Sequence, residues 1–223
     1  MKLLDNLYAY IWQGNDNNCN TYLFADVLNG RHVIIDPGHI ITPHYREAGL
    51  ASIVQEMEKD GLEPAAIGLV IITHAHPDHC EAAKVIREKN RAPLALHEAD
   101  EEMYERIGGN VDFYLDEGEL ELGKEGQAKF NIYHSPGHSP GHITVYWPEK
   151  KVLVAGDVIF SRSTGRVDLP GGSAKLLRQS INRLSGLDIE YLLCGHPYGD
   201  PGIIEGKEAI QKNFDFVKRN VLL

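Results

Sequence analysis

Apolar positions in about the first forty residues follow the pattern of β-strands. LYAYIW and NTYLFAD are rich in β-branched and aromatic types, and Asn29-Gly30 offers a turn before the run HVIID. From about Tyr45 the period lengthens. Leu50, Ile53, Val54 and Met57 fall at i, i+3, i+4 and i+7, which predicts a helix with one apolar face ending near Gly61. AIGLVIIT then reads as a short strand buried on both faces. A helix is predicted over EAAKVIREKN, a strand over APLALHE and a helix over ADEEMYERI. Three further strands, KFNIYH, ITVYW and KVLVAGDVIF, are divided by the turn-rich SPGHSPGH and by PEK. Ser173 is placed to cap a helix carrying Leu176, Leu177, Ile181 and Leu184. IEYLLCG is one more apolar strand, and KEAIQKNFDFVKRN reads as a closing amphipathic helix.

Strands and helices interleave without a fixed repeat or a linker. The pattern therefore predicts one α/β domain over residues 1–223, with helices covering sheets. A hydrophobic share of 43% with 24% charged residues fits a soluble globular protein. The formal net charge of −10 argues against a phosphate-binding surface, so no nucleic-acid partner is expected. Bound divalent cations would offset that charge locally, which keeps a small anionic substrate in view. Cys19, Cys80 and Cys194 are odd in number and widely spaced, so they form no disulfide framework and fit a reducing compartment. MKLLDNLYAYIWQGN has no small-residue cleavage site, and no run approaches the roughly 18 apolar residues of a membrane span. The expectation is a cytoplasmic protein with a small-molecule substrate and no membrane partner; a homo-oligomer is left open.

One stretch stands out chemically. THAHPDHC, residues 73 to 80, crowds His74, His76, Asp78 and His79 together where a buried strand ends. In an extended segment residues two apart share a side, so His74, His76 and Asp78 would face one way and His79 another. Pro77 keeps His76 out of the helical region until the next helix begins. Such a loop can feed two metals, His74 and His76 one ion and Asp78 and His79 its neighbour; the plainer alternative is a polar loop whose Asp78 caps a helix. His138 in SPGHSPGH, Asp157 in VLVAGDVIF and His196 in YLLCGHP also sit where apolar strands meet glycine-rich loops. A titratable group there needs a partner, either a metal or a hydrogen bond, because desolvation is costly.

These motifs resemble the metallo-β-lactamase superfamily, and most closely its glyoxalase II-like branch. H-x-H-x-D-H is followed by single His, Asp and His residues on successive strand ends. SPGHSPGH is similar to the branch's T-P-G-H-T-x-G-H, and GDVIFSRSTGRVDLPGG to its G-D-x-L-F…G-R-x-D-L-P-G-G. The resemblance covers almost the whole chain and implies an αββα four-layer sandwich. It also implies that His74, His76 and His138 bind one metal, that Asp78, His79 and His196 bind a second, and that Asp157 bridges them. His138 and His142 share identical PGH contexts; the family pattern puts the ligand first, at His138, with His142 in a supporting role. Asp36, in IIDPG, would support the metal loops by hydrogen bonds. His32, His39, His44, His97 and His134 belong to no complete ligand set, and Cys80 and Cys194 read as small buried hydrophobes.

Two ions about 3.5 Å apart would hold a hydroxide that attacks a carbonyl, with Asp78 orienting it. No G-x-S-x-G elbow is present, so no serine nucleophile is expected. The resemblance thus implies hydrolysis of a thioester or ester. Arg166 suits a substrate carboxylate, unless it simply pairs with Asp168, and the Tyr198 hydroxyl could donate to substrate. Zinc is favoured for the two divalent ions, with iron or manganese as alternatives. The runner-up is a persulfide dioxygenase with one iron on His74, His138 and Asp157; a nuclease or a non-catalytic binding protein stands further off. Departures concern substrate choice. Glu81 and Ala82 replace two glycines, GHPYGDPGIIEGKEA differs from the usual stretch, and after His196 there is room for about one helix where glyoxalase II carries a glutathione-contacting domain.

Overall fold

The computed structural model describes residues 1–198 and 202–221. Its first sheet runs in the order β1 (Lys2–Leu4), β2 (Leu7–Tyr10), β3 (Thr21–Leu28), β4 (Arg31–Ile35), β5 (Ile67–Ile71), β6 (Leu94–Leu96) and β7 (Phe113–Tyr114). It is antiparallel through β4 and parallel from β4 to β7. The second sheet contains β8 (Gly118–Leu122), β9 (Ala128–His134), β10 (Ile143–Trp147), β11 (Val152–Gly156), β12 (Tyr191–Cys194) and β13 (Ile203–Glu205), in the order β13-β12-β11-β10-β9-β8. Only its β11–β12 pair is parallel. The helices are α1 (Gly49–Lys59), α2 (Pro77–Cys80), α3 (Ala83–Asn90), α4 (Glu101–Arg106), α5 (Ala174–Leu184) and α6 (Lys207–Asn220).

Three apolar layers hold these elements together. Between the sheets, Phe24, Phe130 and Trp147 meet edge-on and tilted at centroid distances of 5.0 to 5.4 Å, among Val33, Ile35, Leu69 and Ile71. The outer face of the first sheet buries Ile34, Val70 and Ile72 against Ile53 and Met57 of α1, Ile86 of α3 and Tyr104 of α4. The outer face of the second buries Leu153 and Leu192 against Leu177, Ile181, Leu184, Ile210, Phe214 and Val217 of α5 and α6. The layers therefore run helix, sheet, sheet, helix: an αββα sandwich. Successive residues of β4 and β5 serve opposite faces, and both faces are covered, which is why those runs are continuously apolar.

Local signals act as their chemistry requires. Asn29 (φ 53°) and Gly30 (φ 79°) form the left-handed pair of the β3–β4 hairpin. Ser173 Oγ accepts from the Leu176 N–H and starts α5. The helix expected over EAAKVIREKN is α3, starting at Ala83, and a separate one-turn helix, α2, precedes it; Pro77 opens α2 at a position where its missing N–H costs nothing. The strand expected over KVLVAGDVIF stops at Gly156, leaving Asp157 on a loop. Strands β1, β7, β8 and β13 were not expected. Three are only two or three residues long, and β8 is an edge strand whose Glu119 and Glu121 face solvent. Among the described residues no helix is long and apolar enough to cross a membrane. Residues 199–201, inside the stretch that departs from the family pattern, lie outside the described residues.

The architecture gathers the candidate loops. THAHPDHC leaves β5, SPGHSPGH leaves β9, Asp157 follows β11 and His196 follows β12. Each loop issues from the carboxyl end of its strand, the end at which sheets of this kind build sites.

Candidate metal centre

His76 is extended (φ −73°, ψ 141°), and Pro77 takes the first position of α2. The helix thus begins directly after His76, and strand alternation does not reach Asp78. Asp78 and His79, both in the first helical turn, join the same group of side chains. Three groups of ligand atoms lie within 4.8 Å of one another: His74, His76 and His138; His74, His79 and Asp157; and Asp78, His79 and His196. All seven residues singled out from the sequence are brought together.

The hydrogen bonds identify the free atom of each ring. His138 Nδ1 lies 2.7 Å from the Arg166 carbonyl and His196 Nδ1 lies 3.0 Å from the Asn18 carbonyl. A carbonyl only accepts, so both Nδ1 atoms carry hydrogen. Thr73 Oγ1 donates to Asp36 Oδ2 (2.6 Å) and so accepts from His74 Nδ1 (3.1 Å). His79 Nδ1 donates to Asp36 Oδ2 (2.9 Å). In neutral rings the four Nε2 atoms are therefore lone pairs, and they point inward.

Inside, these nitrogens meet one another and the Asp157 carboxylate. His76 Nδ1 faces His138 Nε2 at 2.8 Å, and His79 Nε2 faces His196 Nε2 at 3.2 Å. His74 Nε2 is buried without a hydrogen-bond partner among the described residues. Asp157 lies in the midst: Oδ1 is 3.2 Å from His79 Nε2 without an aligned hydrogen bond, and Oδ2 is 3.3 Å from His138 Nε2 and 3.4 Å from His196 Nε2. Buried polar groups are ordinarily paired donor to acceptor. Acceptors converging on a carboxylate fit cations, and histidine with aspartate is a donor set that divalent metals take.

Electrostatics agree with that fit. Burial pushes His74 well below the usual imidazole range, and burial with the His138 ring beside it takes His76 down to about 4. Both are neutral near pH 7, as metal ligands must be. For His79 burial acts downward, but the Asp157 and Asp36 carboxylates outweigh it and hold the ring well above its ordinary value. For Asp157 burial acts upward, yet His196 and His79 outweigh it and keep the carboxyl ionised.

His142 is separated from His138 by what its nitrogen does. Its Nε2 accepts the Asp157 main-chain N–H at 3.0 Å, and its ring stacks on His74 at 4.8 Å, so it braces the site from outside. Asp36, in the left-handed region (φ 51°), accepts from Thr73 N (2.8 Å) as well as Thr73 Oγ1 and His79, matching the support expected of it. Gly195 has no room for a side chain, since a Cβ there would collide with Asp157 Oδ1 and lie 2.9 Å from His79 Cε1.

Two supports gave no sequence signal. Asp100, buried, accepts from Ala75 N (3.0 Å), Ser139 Oγ (2.7 Å) and Gly141 N (2.6 Å), tying the first histidine loop to SPGHSPGH. Replacing it with alanine strands those donors, and Asp100→Ala is expected to cost about 3 kcal/mol. In a chain of 223 residues that lowers Tm by roughly 6–12 °C; a thermal melt of metal-free protein checks it. The other support is Asn17, whose Nδ2 donates to Asp78 Oδ2 at 2.6 Å.

Arg166 pairs bidentately with Asp168 (2.9 and 2.8 Å) in solvent, both side chains about two-thirds exposed, while its main-chain carbonyl holds His138. Tyr198 is 51% exposed, lies over His196 at 4.9 Å and donates its hydroxyl to Asn17 Oδ1 at 2.8 Å. His39 pairs with Glu81, His44 with Asp16 and His32 with Asp26; His97 stacks on His134. None of these belongs to the three groups. None of the cysteines forms a disulfide, and burial raises the Cys80 thiol well above its usual value, as suits an inert core residue.

Residues 14–196 match the family model described as the metallo-beta-lactamase superfamily. The chain belongs to the metallo-β-lactamase superfamily, a group of metal-dependent hydrolases. It is 33% identical over 177 residues to the hydroxyacylglutathione hydrolase GloC of Haemophilus influenzae, covering 74% of this chain and 76% of the relative. It is 31% identical over 194 residues to an uncharacterized protein of Aquifex aeolicus, covering 80% and 83%. Among solved structures it is similar to TTHA1623 in a di-iron-bound form, with TM-score 0.71, 28% identity and coverage of 97% of this chain and 100% of the other. The BLEG-1 B3 metallo-beta-lactamase superposes with TM-score 0.71 at 27% identity, covering 91% and 95%.

Proposed function

We propose that this chain is a dinuclear metal-dependent hydrolase that cleaves a thioester or ester of a small substrate. His74, His76 and His138 would hold one ion and Asp78, His79 and His196 its neighbour, with Asp157 placed to serve both. The observation that carries this reading is the convergence of imidazole nitrogens on one another and on Asp157, with His74 Nε2 and Asp157 Oδ1 buried without a partner among the described residues, a donor set suited to divalent cations. When bound, the ions supply Lewis-acid polarisation of a carbonyl and a water that ionises near neutral pH.

The chain's own residues do the remainder. Asp78, partly exposed at the rim, orients the attacking water and takes its proton. The Tyr198 hydroxyl turns from Asn17 to a substrate oxygen while its ring walls the opening. Arg166 exchanges Asp168 for a substrate carboxylate, an exchange that solvent exposure makes cheap. The likeness to GloC supports a thioester. Zinc suits the histidine-rich set, and the di-iron form of TTHA1623 is the reason iron stands beside it. In this reading the chain works as a single cytoplasmic domain on a small molecule.

A substrate panel tests it. Protein loaded with Zn²⁺, Mn²⁺ or Fe²⁺ is assayed on S-lactoylglutathione, simple acyl thioesters and aryl esters, with oxygen uptake on glutathione persulfide run alongside. Hydrolysis abolished by chelator and restored by metal is expected. Oxygen uptake with one iron per chain and no hydrolysis would contradict the proposal.

A further inference from the structure

We propose that Asn17 is a positioning residue for Asp78 and thereby sets how tightly the second ion is held. The inference rests on the two-ion reading above. His74, His79, His138 and His196 are oriented by Thr73, Asp36, the Arg166 carbonyl and the Asn18 carbonyl. Asp78 receives no such hydrogen bond from a buried group; the buried His196 Nε2 lies 3.4 Å from its Oδ2. The Asp78 side chain is 15% exposed, and the Asn17 amide is the one hydrogen-bond donor to its carboxylate among the described residues. Without Asn17 the Asp78 carboxylate, on the first turn of a four-residue helix, would lose its hydrogen-bond donor and keep only the approach of His196 Nε2 at 3.4 Å.

The Asn17 side chain is itself held from both ends. Its Oδ1 accepts from the Tyr198 hydroxyl at 2.8 Å, which leaves Nδ2 to face Asp78 Oδ2 at 2.6 Å. The Tyr198 ring is fixed in turn, stacked on His196 at 17° and meeting Phe160 edge-on at 5.3 Å. The main chain beneath Asn17 is pinned by two carboxylates. Glu47 accepts from the N–H groups of Asn15 (2.9 and 3.0 Å) and Asp16 (2.9 Å). Asp16, its side chain 3% exposed, accepts from the N–H groups of Asn17 (3.0 Å), His44 (2.6 Å) and Tyr45 (2.9 Å). A surface asparagine fixed this thoroughly, with its donor aimed at one carboxylate oxygen, acts as an orienting group for a ligand in the manner of the partners that fix metal-bound histidines.

The test is Zn²⁺ titration of chelated protein by calorimetry, for wild type, Asn17→Ala, Asp78→Ala and the double variant. Asn17→Ala is expected to weaken one of two bound ions by about 10- to 100-fold while the other ion and the metal-free Tm stay at wild-type values. In the Asp78→Ala background the same change is expected to add nothing, because Asn17 acts through Asp78. Tyr198→Phe is expected to give a loss at the same ion, smaller than that of Asn17→Ala. Wild-type affinity in Asn17→Ala, a loss shared by both ions with a fallen metal-free Tm, or an undiminished loss in the double variant would each overturn the inference while leaving the two-ion centre standing. Fewer than two ions in wild type would overturn both.

Discussion

Asp157→Ala is expected to lower kcat/KM on the cleaved thioester or ester about a thousandfold, or ~4 kcal/mol of transition-state stabilisation. Among the described residues Asp157 is the one carboxylate that reaches histidines of both groups, with His79, His138 and His196 all within 3.4 Å of its oxygens. In the proposed two-ion centre its loss would remove a ligand from each ion, together with the negative charge that attracts cations to the cluster. Asp157→Asn keeps the shape, and the main-chain N–H still reaches His142, so the fold has no reason to fail. A similar loss in both variants with folding intact places the effect on charge and ligation. Turnover within tenfold of wild type in either variant would contradict the account. Steady-state kinetics at saturating metal, with far-UV circular dichroism as the folding control, reads both.

The second large effect is on stability. With free Zn²⁺ a thousandfold above its Kd, the native state gains about 4 kcal/mol. For 223 residues that raises Tm by roughly 8–16 °C over chelated protein. Metal-free protein must bury His74 Nε2 without a partner and crowd the Nε2 atoms of His79 and His196 beside an ionised Asp157. A proton relieves part of that strain, since Asp157 and Asp36 hold His79 above its ordinary value. Zinc must displace this proton, so the Tm difference shrinks as pH falls and is largest where His79 deprotonates readily. Melts of chelated and zinc-loaded protein across pH 6 to 9 follow it. Equal Tm with and without metal would mean that the native fold gains nothing from cations.

Much of this arrangement was legible in the sequence because the informative residues are local. His74, His76, Asp78 and His79 declare themselves within one short run, and His138, Asp157 and His196 each follow an apolar strand. Once the strands are placed, their carboxyl ends bring the side chains together. β5 was readable because Leu69 and Ile71 serve one core and Val70 and Ile72 the other, leaving no polar position to confuse the pattern. β8 was hidden because its glutamates lie on an exposed edge, and β1, β7 and β13 are too short to carry any period.

The partners that hold the site were another matter. Asp100 meets Ala75, Ser139 and Gly141 across 25, 39 and 41 positions of sequence, and Asn17 meets Asp78 across 61. Their roles exist only after folding. His138 and His142 could not be told apart by context, and the structure separates them because only one has its Nε2 taken by a main-chain N–H. The alternation drawn for the histidine loop does not reach Asp78, because Pro77 opens a helix directly after the extended His76.

Anomalous diffraction from zinc-soaked crystals gives the most direct measurement. Two peaks about 3.5 Å apart, flanking Asp157 with three further side chains on each, are the predicted result. A single peak, or ions bound elsewhere while these seven side chains turn away from one another, would contradict the account.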